Sequence, residues 1–178
     1  DACLVGSEMC IRDSYGGGMI INNSEATLEN VTVTDNTASS GGGIFILDTD
    51  ATLINLTVSG NTATAFGGGL LVGSNTNPTI TNSIIWGNNP NQIQGFGTPT
   101  ITYSDVQGGW NGIGNIDSDP LFTDAENGDF TLADNSPCID AGISDLDSDG
   151  VEDINDYNGL SPDMGAFETF MAGVNGFT

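Results

Sequence analysis

Glu25-Ala-Thr-Leu-Glu-Asn-Val-Thr-Val-Thr-Asp-Asn-Thr-Ala38 decides the fold, because the chain repeats it in register. Asp50-Ala-Thr-Leu-Ile-Asn-Leu-Thr-Val-Ser-Gly-Asn-Thr-Ala63 follows, then Asn77-Pro-Thr-Ile-Thr-Asn-Ser-Ile-Ile-Trp-Gly-Asn-Asn-Pro90, then a weaker copy over 98–110. A Gly-Gly-Gly triplet stands ahead of each of the first three, at Gly16–Gly18, Gly41–Gly43 and Gly67–Gly69. Successive triplets are about 25 residues apart. A unit of that size is one supersecondary element, too small to bury its own apolar face, so copies must stack.

Aligned as columns, the copies show what stacks on what. Leu28, Leu53, Ile80 and Ile101 form one column, and Val33, Val58, Ile85 and Val106 another. The flanking positions, Thr32/Thr57/Ile84/Asp105 and Thr34/Ser59/Trp86/Gln107, are mostly polar. Alternation with period two in β-branched residues is strand spacing, and no segment carries an apolar helical stripe. Asn36, Asn61 and Asn88 close each repeat at a sharp turn. The prediction is an all-β solenoid of four or five coils between Tyr15 and about Phe122, a rod of roughly 20–25 Å at the inter-strand spacing. Two asparagine columns, Asn30/Asn55/Asn82 and Asn36/Asn61/Asn88, are expected to bond from coil to coil. An inward first column would make the sequons at Asn30 and Asn55 unusable for glycosylation.

The first fourteen residues read differently. Cys3-Leu-Val-Gly-Ser-Glu-Met-Cys-Ile-Arg-Asp13 resembles the in-frame translation of a transposase adapter used in sequencing, and is set aside from fold reasoning as a fusion scar would be. On that reading the chain is a metagenomic fragment. Arg12, the only basic residue of a chain with net charge −23, lies inside it. Beyond it stand 21 of the 24 acidic residues, one cysteine, Cys138, and no lysine, arginine or histidine. Such a field repels nucleic acid and anionic lipid. No run of 18 apolar residues spans a membrane. Cys138 has no partner for an intrachain disulfide and no cation to lower its pKa, so it is expected to pack as a small hydrophobe.

The repeats resemble bacterial right-handed parallel β-helix proteins of the pectin-lyase-like superfamily. Further on, Asn115-Ile-Asp-Ser-Asp-Pro-Leu-Phe122, Gly128-Asp-Phe-Thr-Leu132, Asn135-Ser-Pro-Cys-Ile-Asp-Ala-Gly142 and Pro162-Asp-Met-Gly-Ala-Phe-Glu168 look like the ordered motifs of a choice-of-anchor Q domain. The resemblance implies a secreted or surface-anchored bacterial protein, hence an extracellular or cell-surface location. It does not imply one function, since lyases, hydrolases, adhesins and stalks share the fold. The implied organisation is a β-helix over 15–122, a capping region with an Asp-rich loop over 123–170, and a linker over 171–178.

Three functional classes can be weighed on the residues. β-Elimination next to a carboxylate needs a strong base and cations for the substrate's charge. Residues 14–178 offer neither Lys, Arg nor His. Hydrolysis needs only paired carboxylates, and Glu25 and Asp50 share a column, while Asp117 and Asp119 read as turn residues. Ice binding would need open rows such as Thr32/Thr34 and Thr57/Ser59, which Ile84 and Trp86 interrupt. The expectation is a non-catalytic, monomeric stalk or adhesive module, with Trp86, Trp110 and Phe96 as the residues able to stack on a carbohydrate, or else to pack in core and cap.

One site stands out. Asp145-Leu-Asp-Ser-Asp-Gly-Val-Glu-Asp-Ile-Asn-Asp156 puts Asp145, Asp147, Asp149, the Val151 carbonyl, Asp153 and Asp156 at positions 1, 3, 5, 7, 9 and 12 of a loop, with Gly150 at the sharp turn. That is the ligand order of a calcium loop. It resembles the loops of dockerin and thrombospondin-type repeats more than a full EF-hand, because Pro137 and Gly142 argue against a preceding helix. Asp156, shorter than glutamate, points to weak or moderate affinity for Ca2+.

Overall fold

The computed structural model describes residues 16–169. The adapter-like stretch 1–14 falls outside them, as do Tyr15 and residues 170–178. Among the described residues there is no α-helix, and one 3-10 turn at Ala125–Asn127.

Four coils stack in parallel. The first carries β1 (Met19–Asn22), β2 (Thr27–Thr34) and β3 (Thr37–Ser40); the second carries β4 (Ile44–Leu47), β5 (Thr52–Ser59) and β6 (Thr62–Phe66). The third holds β7 (Leu70–Val72), β8 (Thr79–Thr81) and β9 (Ile84–Trp86); the fourth holds β10 (Ile93–Gly95), β11 (Thr100–Thr102) and β12 (Asp105–Val106). One sheet runs β1-β4-β7-β10, and a second joins β2 to β5 and then splits to β8-β11 and β9-β12. A small third sheet pairs β3 with β6. After the coils, β13 (Phe122–Asp124) and β14 (Asp129–Leu132) form an antiparallel hairpin.

The register is the one the columns require. Leu28 pairs with Leu53 and Val33 with Val58, then Leu53 with Ile80, Val58 with Ile85, Ile80 with Ile101 and Ile85 with Val106. Apart from Leu28, these side chains are buried and form one core with Ile21, Ile44, Ile46 and Leu70 from the facing sheet. Each fully buried aliphatic contributes about 1.5–3 kcal/mol. The glycine triplets let the coils close up at a corner. A Cβ on Gly42 would meet the Gly68 oxygen at 2.5 Å, and one on Gly68 the Asn89 oxygen at 2.3 Å.

The two asparagine columns differ. Asn36 Nδ2 donates to Asn61 Oδ1 (3.1 Å) and Asn61 Nδ2 to Asn88 Oδ1 (3.0 Å); Asn88 Nδ2 donates onward to Gln92 Oε1 (2.8 Å). In the other column Asn55 Nδ2 donates to Asn30 Oδ1 (3.0 Å), and there the chain of bonds stops. Asn30, Asn55 and Asn82 all have φ near +50°, so they are bends in the left-handed region, which asparagine tolerates. Asn30 is exposed rather than inward, so burial closes only the Asn55 sequon.

The region after β14 runs as a strap along the flank of the coils. Met164 N donates to Cys138 O (2.9 Å) and Gly142 N to Pro162 O (2.8 Å), joining its two halves. Gly165 N then donates to Asn82 O (2.8 Å), and Ala166 N to Thr57 Oγ1 (3.0 Å) across 109 residues. Ile84, Leu132, Cys138 and Met164 make a second apolar cluster beneath it. This corrects the expected open threonine face: Thr32 is exposed, but Thr57 and Ser59 are buried. Among the described residues, the four hydroxyl positions Thr32, Thr34, Thr57 and Ser59 form no open flat array.

Candidate functional site

The acidic loop hangs from the strap. Asp153 N (2.9 Å) and Ile154 N (3.0 Å) both donate to Ser144 O, closing a ring over the buried Ile154 side chain. Inside it the short aspartates bond to the backbone ahead of them, as their length favours in turns. Asp145 accepts from Asp149 N (3.2 Å) and Gly150 N (2.9 Å), Asp147 from Asp149 N (3.1 Å), and Asp149 from Val151 N (2.8 Å). Gly150 has φ +88°, which supplies the bend at the sixth position.

This arrangement brings one carboxylate oxygen each from Asp145, Asp147 and Asp149 within 4.8 Å of one another. Three negative charges at that spacing repel by about 1 kcal/mol per pair even at the dielectric constant of water. Asp153 and Asp156 are not part of the group: Asp153 Oδ2 accepts from Leu146 N (2.8 Å) across the loop, and Asp156 is exposed. Of the six positions of the calcium pattern, the structure therefore clusters three carboxylates. The donors are all oxygen, which suits a hard divalent cation, and the exposed side of the loop leaves room for water to complete its shell.

Two other groups of carboxylates have different roles. Asp105 is fully buried beneath the strap, where its Oδ1 accepts from Ser118 N (3.2 Å) and its Oδ2 from the Cys138 thiol (3.3 Å). Burial raises its pKa to about 6, against the opposing effect of those hydrogen bonds. The same burial, with Asp105 beside it, pushes the Cys138 thiol well above its ordinary value, so the thiol is a packed donor and not a nucleophile. Asp117 caps Gly108 N (3.0 Å) and Asp119 caps Leu121 N (3.0 Å), the turn roles expected of them. Glu25 and Asp50 line an open acidic groove with Asp48, but Asp50 Oδ1 is engaged by Asn77 N (2.7 Å).

A family model described as the right handed beta helix region matches residues 7–136. The chain belongs to the right-handed β-helix family. No curated protein and no solved structure matches it.

The β-helix carries one surface that sequence reasoning missed. A groove of about 640 Å³ crosses all four coils, lined by Phe45, Leu47, Phe66, Leu71 and Phe96 with Ser39, Ser74 and Gln94 among its polar groups. None of its lining residues is charged, on a chain with net charge −23. Phe66 is 56% and Phe96 88% exposed. The three aromatics named from sequence do not converge. Trp86 packs against the cluster under the strap and Trp110 against the solenoid core, while Phe96 stands in the groove. The available signal was Phe45 stacked in register with Leu71, an apolar pair at an outward strand position.

Proposed function

We propose that this β-helix is a non-catalytic module of a secreted or cell-surface bacterial protein, serving as a stalk or adhesive surface, with its strap ordered by calcium. The observation that carries the calcium reading is the convergence of Asp145, Asp147 and Asp149 in a region without a basic residue. A divalent cation is the group that relieves their repulsion, and the loop is closed on the strap through Ser144 and Ile154. The choice-of-anchor Q resemblance is supported by the direct pairing of two of its motifs, 135–142 and 162–168, through Cys138–Met164 and Gly142–Pro162 bonds. The uncharged groove with exposed Phe66 and Phe96 suits a neutral carbohydrate, whose apolar ring faces stack on aromatics, better than a charged one.

Calorimetry with calcium chloride on the full chain tests the first part. Binding with Kd about 10⁻⁵–10⁻³ M is expected, with a rise in Tm that EDTA reverses and Asp147→Ala removes. No heat and no Tm change at millimolar calcium would remove the site. A separate titration with a neutral oligosaccharide addresses the groove: Phe96→Ala should abolish binding without moving Tm.

A further inference from the structure

Two groups compete for one side-chain amide on the third coil. In the column Asn30/Asn55/Asn82 the backbone bends alike at every rung, with φ of +55°, +53° and +51°. Leu53 paired with Ile80, and Thr57 with Ile84, set Asn55 directly over Asn82. Between the first two rungs the amides bond, Asn55 Nδ2 donating to Asn30 Oδ1 (3.0 Å). The same bond one coil further on would run from Asn82 Nδ2 to Asn55 Oδ1. It is not made. Asn82 is fully buried, and its amide holds Ile143 by both atoms, donating to Ile143 O (2.8 Å) and accepting from Ile143 N (2.8 Å). Asn55 is buried as well, and its Oδ1 has no hydrogen-bond partner among the described residues, a costly condition for a buried acceptor.

The contact that Asn82 makes instead holds an arm of the strap. Gly142 N donates to Pro162 O (2.8 Å), and this pairing closes off residues 143–161. Within the arm, Asp153 N and Ile154 N bond to Ser144 O, Leu146 N to Asp153 Oδ2, and the Tyr157 hydroxyl to Glu152 Oε1. Leu160 N and Ser161 N return to Asp140 Oδ1, and Asn158 N to Glu168 Oε2, both on the strap itself. Among the described residues, the two Ile143 bonds are therefore the arm's only hydrogen bonds to the coils. The rest of the strap is tied down separately, by Gly165 N to Asn82 O, Ala166 N to Thr57 Oγ1 and the Cys138 thiol to Asp105. The docked contact is tight: a Cβ on Gly142 would lie 2.9 Å from Cγ and Oδ1 of Asn82.

We infer that Asn82 is a two-position switch for the arm 143–161. In one position its amide holds Ile143 and the arm is docked. In the other it turns back to Asn55, completes the asparagine column and frees the arm, while the strap on either side stays in place. Docking makes two bonds and forfeits one; release gives the Ile143 groups to water and the buried Asn55 oxygen its partner. The gap between the two states is thus smaller than the Ile143 bonds alone would set. Because Asp145, Asp147 and Asp149 lie on the arm, the switch moves the acidic loop as a unit, toward the third coil or away from it. The switch stands on the amides and requires no cation at the loop.

Deleting the competing acceptor gives the test. Asn55→Gly keeps the left-handed bend and removes the oxygen to which Asn82 turns. Amide exchange read by NMR on the full chain should show Ile143 N–H about fivefold slower than in the unaltered protein, although the solenoid has lost a side chain. Asn30→Gly is the control: it deletes the other bond of the column but leaves Asn55 Oδ1 in place, so Ile143 should not change. Equal or faster exchange at Ile143 in Asn55→Gly, or equal slowing in Asn30→Gly, overturns the switch. Should Asn55→Gly not fold, Gly142→Ala decides, because its methyl group pushes the Asn82 amide off Ile143. The side-chain amide signals of Asn55 and Asn82 should then move together with that of Ile143. A shift at Ile143 with the Asn55 signal unmoved overturns the switch equally.

Discussion

Asn61 and Asn82 occupy the second and third coils of two columns that look alike in sequence, yet they hold different parts of the molecule together. Asn61 is a rung: its amide touches the coils above and below through Asn36, Val33 and Asn88. Asn82 has left its column. Its Nδ2 donates to Ile143 O (2.8 Å), its Oδ1 accepts from Ile143 N (2.8 Å), and its own carbonyl accepts from Gly165. Asn55, beneath which the column breaks, keeps a buried Oδ1 without a partner among the described residues. Periodicity places an amide at a corner. What then packs against that corner decides whether it joins coil to coil or coil to strap.

The largest expected effect removes both columns at once. Val58 lies on β5 between Asn55 and Asn61, buried between Val33 and Ile85. Val58→Asp would bury a carboxylate with no basic partner in 14–178, and should abolish folding, read as loss of the strand signal in circular dichroism. Soluble, strand-rich protein would show that the inward column is off by one residue.

Next come the two asparagines themselves. Asn61→Ala strands several backbone and side-chain groups at a buried corner, and should lower global stability by about 3 kcal/mol in urea unfolding. Asn82→Gly keeps the left-handed bend but deletes both bonds to Ile143. It should cost about 2 kcal/mol, concentrated in the strap. Limited proteolysis separates them: Asn82→Gly should expose cleavage within 133–169 while the coils survive. Equal loss across the chain in both variants would mean that the two asparagines brace the same part of the molecule.

The smallest effect is a pH dependence. Folded Asp105 holds its proton up to about pH 6, whereas the unfolded carboxyl releases it near 3.8. The raised group therefore favours the folded state most at pH values below the unfolded pKa, and this contribution is lost as pH rises through about 6. Between pH 7.5 and 5 the gain is about 1.5 kcal/mol. Asp105→Asn should be more stable than wild type at pH 7.5 and nearly equal to it at pH 4. An unchanged difference between the two proteins across that range would place the proton elsewhere, for instance on Glu168, which burial also raises.

Much of the coil body was legible because repeats in register print their contacts directly in the sequence. Leu28/Leu53/Ile80/Ile101 needed only alignment to become a column. The strap was not legible. Its contacts join residues 33 to 109 apart, such as Cys138 with Asp105 and Ala166 with Thr57, and contacts of that span leave no period. For the same reason Thr57 reads as solvated although it is buried. At the acidic loop, Asp145, Asp147 and Asp149 were legible because alternate residues in a tight turn share a side. The wider spacing of Asp153 and Asp156 carried no such guarantee, and these two lie apart from the cluster.

The strap also bears on how the molecule would yield to tension. Its described ties fall on the second, third and fourth coils, at Thr57, Asn82 and Asp105, and none on the first. A pull on the two chain ends would thus meet an unbraced coil at one end and a cross-tied block at the other. Peeling the first coil releases about 25 residues, roughly 80 Å of extended chain at strand rise. The remaining three should resist until the strap tears away, then lengthen in larger steps. Single-molecule extension would read this as one short early event ahead of a stiffer unit. A single cooperative rupture would mean that the strap braces all four coils.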